Sequence, residues 1–178
     1  MKNKIYAFIT VGIILIFSIY FSFRNSSFVK ANELNARGIE KSQQNEFEGS
    51  DLDFKKSISF KFREHIPITN LGISSITKKD YSLAHEYFDK ALAIEKDFLP
   101  AKYNDAIALF EWGNTEYDSE KCNINRVMIF WNQSYIRFQE IAKSGKFFEF
   151  RENPLIKKSK VNLKLVSAKI EELKNGCK

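Results

Sequence analysis

The chain has 178 residues, 44% of them apolar and 28% charged, with a formal net charge of +6. Lys2, Lys4, Arg24 and Lys30 all fall in the first 30 residues, where no acid occurs, so residues 31–178 carry 24 basic against 22 acidic side chains. The basic excess is a flank effect and gives no reason to expect a nucleic-acid partner, while the remaining 148 residues suffice for one domain with a proper core.

A basic tip, residues 1–4, precedes an uncharged apolar run over residues 5–23. Nineteen residues at about 1.5 Å each reach close to 30 Å, enough to cross the hydrocarbon core of a bilayer. A transmembrane helix, or uncleaved signal anchor, is therefore expected, with residues 24–30 as a linker. The alternative is a cleaved signal peptide, for which Val29-Lys30-Ala31 supplies small residues; the run is longer than a signal peptide's usual apolar region, and Arg24 intervenes. Lys2 and Lys4 favour a cytoplasmic N-terminus, whereas Arg24, Lys30 and Arg37 on the other flank pull the opposite way. Long following domains often translocate regardless of charge, so the bulk of the chain is expected on the extracytoplasmic side, in a bacterial envelope setting. No lipoprotein cysteine follows the run, since the two cysteines are Cys122 and Cys177.

Residues 66–95 read as two helices and a turn. Ile68, Leu71, Gly72 and Ile76 lie three or four apart, with Pro67 suited to a first helical position. Lys79-Asp80-Tyr81 breaks the pattern, and Leu83, Ala84, Tyr87, Phe88, Ala91, Leu92 and Ile94 resume it. Ala84 and Ala91 are small enough for a neighbouring helix to come close. Leu71-Gly72, Asp80-Tyr81, Ala84, Phe88 and Ala91 sit at the spacing of the tetratricopeptide repeat, a 34-residue helix-turn-helix unit that this stretch resembles. It departs from the family pattern at Ser75, where an aromatic is usual, and at Lys96, where proline is usual.

The pattern recurs upstream at the same interval. Gly38 precedes Gly72 by 34 residues, and the same offset pairs Phe47 with Tyr81, Ser50 with Ala84, Phe54 with Phe88 and Ser57 with Ala91. Downstream the offset puts Ala106 at the place of Gly72 and Gly113 at the turn, but Cys122 and Asn125 fall where Phe and Ala are expected. Ser134, Phe138 and Ile141 supply a replacement further on, so a third unit with a polar inserted loop over residues 114–125 is expected. Ser144-Gly145-Lys146 ends that helix, and Phe147, Phe148 and Phe150 lead through Asn153-Pro154 into a last helix near residues 155–175. Leu163, Val166, Ile170 and Leu173 share one face of it. Its other face is basic, with seven lysines from Pro154 onward against Glu171 and Glu172; it fits a solvated cap on a helical stack, or a face for anionic headgroups or an acidic partner.

Chemistry-bearing patterns are sparse. His65 and His85 stand 20 residues apart without a companion at metal-ligand spacing, and the sequence has no HExxH, CxxC or glycine-rich phosphate loop. No catalytic residue, metal ligand or cofactor site is expected, and His85 reads as a surface or packing residue. Cys122 and Cys177 either pair in an oxidising compartment, closing 177 − 122 = 55 residues for about 4 kcal/mol of stabilisation, or stay reduced as small apolar residues.

The fold expected is therefore all-α, with stacked helix pairs over residues 31–178: repeats near 31–64 and 65–98, a degenerate third near 99–142, a C-terminal capping helix, and one transmembrane helix in front. The resemblance implies an interaction scaffold rather than an enzyme, with the first helix of each unit lining a concave face that binds a protein or peptide segment. The family's groove positions project onto Asn35 and Ile39, then Thr69, Ile73 and Ile76, then Tyr103, Ile107 and Phe110. That lining is apolar and neutral. Only Asn70 and Asn104 would suit the subgroup that clamps a C-terminal carboxylate. The competing reading packs Tyr103, Ile107 and Phe110 against the inserted loop or the last helix. An accessory chaperone or assembly factor for secretion or envelope complexes is the alternative function, and a secreted soluble form follows if the chain is cut after Ala31. The sequence does not specify an oligomeric state.

Overall fold

A computed structural model describes residues 2–119, 122–144 and 153–173. Among these residues the chain is all helical: α1 (Lys2–Gln43), α2 (Phe47–Ser59), α3 (His65–Thr77), α4 (Tyr81–Ile94), α5 (Leu99–Tyr117), α6 (Ile124–Ser144) and α7 (Pro154–Leu173). The backbone forms two compact units that divide between Arg63 and Glu64. In the first, α2 packs back along α1. In the second, α3 to α7 each pack on the next, and α5 also touches α3 and α7.

α1 is the one helix among the described residues long and apolar enough to cross a membrane. Ile13, Ile14, Ile16, Phe17, Ile19 and Phe23 are all exposed, so the protein itself provides no cover for this face. Residues 24–30, expected as a linker, continue the same helix into the first unit. Nothing in Arg24-Asn25-Ser26-Ser27 breaks a helix that is already propagating, since neither proline nor glycine occurs there. The Gly145, Lys146, Phe147, Phe148 and Phe150 stretch and Cys177 lie outside the described residues.

The first two hairpins close in the same way. α1 ends with Asn45 at φ 63°, and α3 ends with Lys79 at φ 60°. Glu46 N–H then donates to Lys41 O at 2.9 Å, and Asp80 N–H to Ser75 O at 2.9 Å. These six-to-one hydrogen bonds satisfy helix-end carbonyls that would otherwise lack a partner. The Asp80 side chain next accepts from Leu83 N–H at 3.1 Å, capping α4. α3 begins at His65, so Pro67 stands in its first turn rather than at its first position, where its missing N–H still costs nothing.

Each hairpin is held by a glycine against an aromatic ring. A methyl group at Gly38 would lie 2.6 Å from Phe54 Cε1, and one at Gly72 would lie 2.6 Å from Phe88 Cε1. The third pair has the same contact between Gly113 and Trp131. Serine adds a second tie: Ser57 Oγ donates to Ala31 O and Ser134 Oγ to Ala106 O, both at 2.7 Å. In each case the serine follows the aromatic by three residues and the acceptor precedes the glycine by seven.

This contact corrects the register expected for the third pair. Gly113, not Ala106, occupies the place of Gly72, and Trp131, not Phe138, that of Phe88. The expected loop over residues 114–125 is also shortened at both ends, because α5 runs on to Tyr117 and α6 starts at Ile124. Asn114, Thr115 and Glu116 are polar because they leave one face of a helix free, while Gly113 and Tyr117 on the other are buried beside Trp131. Cys122, half-buried next to this core, is disulfide-bonded.

Alanine normally favours a helix interior over glycine by about 1 kcal/mol. Here the sign should reverse. Because Phe88 is fully buried and cannot swing away, Gly72→Ala is expected to cost about 1–2 kcal/mol through overpacking, read as a lower urea midpoint at unchanged slope. Gly72→Ala combined with Phe88→Leu should recover part of that loss.

Candidate functional site

The most concentrated polar chemistry in the second unit surrounds Asp105 of α5, whose side chain is 0% exposed. His85 of α4 reaches it through Nδ1 at 2.5 Å, and Arg137 of α6 through Nε at 2.8 Å. Three consecutive helices thus meet on one carboxylate. Asp89, one turn beyond His85, stands 3.6 Å from His85 Nε2 and 3.6 Å from an Arg137 terminal nitrogen. A cavity of about 210 Å³ opens beside the cluster, lined by His85, Asp89, Leu109, Gln133, Ile136, Arg137 and Glu140.

Local sequence explains the placement. His85 and Asp89 are four residues apart and share a face of α4. On α5, Asp105 falls beside Ala106, Ala108 and Leu109, all buried. A buried carboxylate at such a site requires cationic partners. His85 and Arg137 supply them, and the hydrogen bond to Asp105 is the main reason the imidazole pKa is raised above its ordinary 6.5, against a smaller opposing effect of burial.

One nitrogen of His85 and one oxygen each of Asp89 and Asp105 lie within 4.8 Å of one another, close enough to hold a cation. Arg137 already occupies that role. Its guanidinium, charged at any physiological pH, sits against both carboxylates, and with a protonated His85 it balances their charge. The arrangement is chemically an ion-pair tie across α4, α5 and α6. Among the described residues, the pocket wall offers no serine, threonine or cysteine nucleophile beside the imidazole.

His85 was legible in the sequence only as a surface or packing residue, and its partners at positions 105 and 137 share no short-range pattern with it. His65 is elsewhere, with its ring edge-on to Phe98 at 4.7 Å. The eight positions expected to line a groove are distributed as follows. Asn35 and Ile39 belong to α1 of the first unit and the other six to α3 and α5 of the second. Thr69 is buried, donating from its Oγ1 to His65 O at 2.7 Å. Phe110 is buried too, in a cluster with Trp131, Phe138, Val166 and Leu173. Tyr103 and Ile107 are half-buried against that cluster, and Tyr103 Oη accepts from Asn162 Nδ2 of α7 at 3.2 Å. Much of the α5 lining is therefore taken up by α6 and α7. Ile73 is exposed and Ile76 half-buried.

Neither a protein-family model nor a curated protein sequence matches the chain.

The raised pKa of His85 carries a sign. The protonated imidazole is the form that Asp105 favours, so this contribution to stability is complete below about 6.5 and is lost as pH rises through the higher folded-state value. Thermal unfolding followed at several pH values should show the midpoint falling across that window in the parent, and His85→Gln should flatten the fall. Asp105→Asn leaves Arg137 facing a neutral amide and is expected to cost about 3 kcal/mol, the lower end for breaking a buried pair because Arg137 is partly solvated; urea unfolding would measure it.

Proposed function

We propose that the chain is a membrane-anchored interaction scaffold, held in the bilayer by the apolar half of α1 and binding a segment of another protein through its helical region. The observation that carries this reading is the joining of an uncovered apolar helix to hairpins that repeat one glycine-aromatic contact 34 residues apart. The identical αL closures at Asn45 and Lys79 also recur at that interval and support the resemblance to tetratricopeptide repeats.

In this reading the binding face of the second unit is the side on which α3, α5 and α7 lie next to one another. Ile73 of α3 is exposed there, with Ile76, Tyr103 and Ile107 partly open beside it and Asn162 at the rim. A partner helix or extended strand would bury these residues, with affinity from apolar area and the tyrosine as an anchor. Confinement to a membrane raises the effective concentration near other membrane proteins, so modest affinity suffices. The disulfide at Cys122 favours an oxidising compartment and hence the extracytoplasmic side.

The test is crosslinking in cells followed by purification from membranes, comparing the parent with Ile73→Ser/Ile76→Ser. Both side chains are at least partly exposed, so the variant should keep its helical circular dichroism. A defined protein captured by the parent and lost in the folded variant supports the reading. Unchanged capture assigns binding to another surface.

A further inference from the structure

Within the first unit, α2 runs antiparallel to α1 and returns the chain toward the apolar run. Ser57 is tied to Ala31 O at 2.7 Å, and three residues after α2 ends the Phe62 ring meets Phe28 edge-on, 4.8 Å between centroids. Phe62 also shares a cavity of about 220 Å³ with Phe21, Asn25 and Phe28. Phe21 lies inside the apolar run, which ends at Phe23, and Phe28 lies five residues past that end. Five residues of helix rise about 7.5 Å, whereas each headgroup layer is about 5–7 Å thick. Phe62, which lies between Phe21 on one side of that end and Phe28 on the other, therefore stands at the level of the headgroup layer.

Its neighbours fit that depth. Lys61 and Arg63 are exposed on either side of it, and the Arg63 guanidinium carbon is 5.8 Å from the ring centroid. Both hold left-handed backbone, at φ 51° and φ 45°, a conformation that glycine or asparagine would adopt at less cost. The backbone thus turns sharply twice in three residues, with a cation at each turn and an aromatic ring between them. Aromatic rings at the interface with adjacent cations are the side chains that bilayers accommodate at headgroup depth.

We propose that residues 60–63 form an interfacial docking loop, in which Phe62 inserts among phospholipid headgroups beside α1 while Lys61 and Arg63 pair with lipid phosphates. The inference rests on the reading of residues 5–23 as a membrane span. It goes beyond that reading by giving the membrane a second contact, far from the span in sequence, that fixes the rotation and depth of the first unit. Anionic lipids are the favoured occupants, each nearby cation adding about 1 kcal/mol of attraction, which corresponds to about a fivefold change per charge.

The full-length protein is reconstituted into vesicles of equimolar phosphatidylcholine and phosphatidylglycerol, with tryptophan placed at Phe62→Trp or, as a control for the span, at Phe17→Trp. Emission is compared with that of the parent, whose native Trp112 and Trp131 set the background. Lipids carrying a quencher near the headgroup should remove most of the extra Phe62→Trp emission, and lipids quenching near the bilayer centre should remove that of Phe17→Trp. Lys61→Ala/Arg63→Ala should weaken the first effect and leave the second unchanged. If Phe17→Trp is quenched deep and Phe62→Trp by neither lipid, the docking loop is wrong while the span stands. Should Phe17→Trp itself escape quenching, the span falls and the loop with it. Equal Phe62→Trp quenching with and without the two cations would refute the lipid pairing.

Discussion

The fold depends on a missing side chain. Where α2 crosses α1, and α4 crosses α3, a glycine lets a phenyl ring lie directly on the helix backbone, and Gly113 does the same for the larger indole of Trp131. Close approach of this kind buries an aromatic face against the partner helix and fixes the position along the axis at which the two helices meet. Once that position is fixed, other contacts follow from helical geometry. Ser57 and Ser134 find their carbonyls because each lies one turn past its aromatic residue. Trp131 Nε1 also donates to Phe110 O at 3.3 Å, giving the buried indole a polar partner.

Charge supplies a second layer of specificity in both units. In the first, Asp53 is almost fully buried on α2 and receives Arg37 at 2.5 and 2.7 Å and Lys41 at 2.8 Å from α1. The Arg37 hydrogen bond is the main reason its carboxyl stays well below the usual carboxylate range, in spite of burial. In the second, Asp105 joins three helices in a comparable way. A buried carboxylate adds little net stability over an apolar residue, yet it penalises any register that leaves it unpaired. Helix pairs held by one ring in one notch can slip by a turn; a buried aspartate with fixed partners disfavours the slip.

Slippage by a turn is also what limits the sequence as a guide. The 34-residue interval was visible because Gly38 and Gly72 carry matching aromatic and small residues after them. It failed in the third pair because 113 − 72 = 41, seven more than 34. Seven residues are close to two helical turns, so the apolar face is preserved and Ala106 or Gly113 both look acceptable from periodicity alone. Only the notch distinguishes them, and a notch is a property of two helices together. The same reasoning explains the misplaced loop: the polar run after Gly113 is the outer face of an extended helix whose inner face is set by Trp131, eighteen residues away. The Asp105 cluster was illegible for a simpler reason, since its members come from positions 85, 105 and 137.

The continuity of α1 ties these local facts to function. Because residues 24–30 are helical rather than a flexible linker, the first hairpin is not tethered to the apolar segment but is an extension of it. Rotation of the apolar helix about its axis therefore turns α2 and residues 60–63 with it. A flexible linker would decouple the domain from the bilayer and leave only effective concentration as the benefit of anchoring. In the proposed anchored arrangement, a continuous helix would instead transmit orientation, so that the side of the first unit facing the membrane would be set by which side of α1 carries α2. Tilt and rotation of a single span are otherwise set weakly, by interfacial aromatic and basic residues at its ends. In the proposed docking, Phe28 and Phe62, brought together by the returning helix, place aromatic residues on one side of α1, an asymmetry that would give a single helix a preferred rotation in a bilayer.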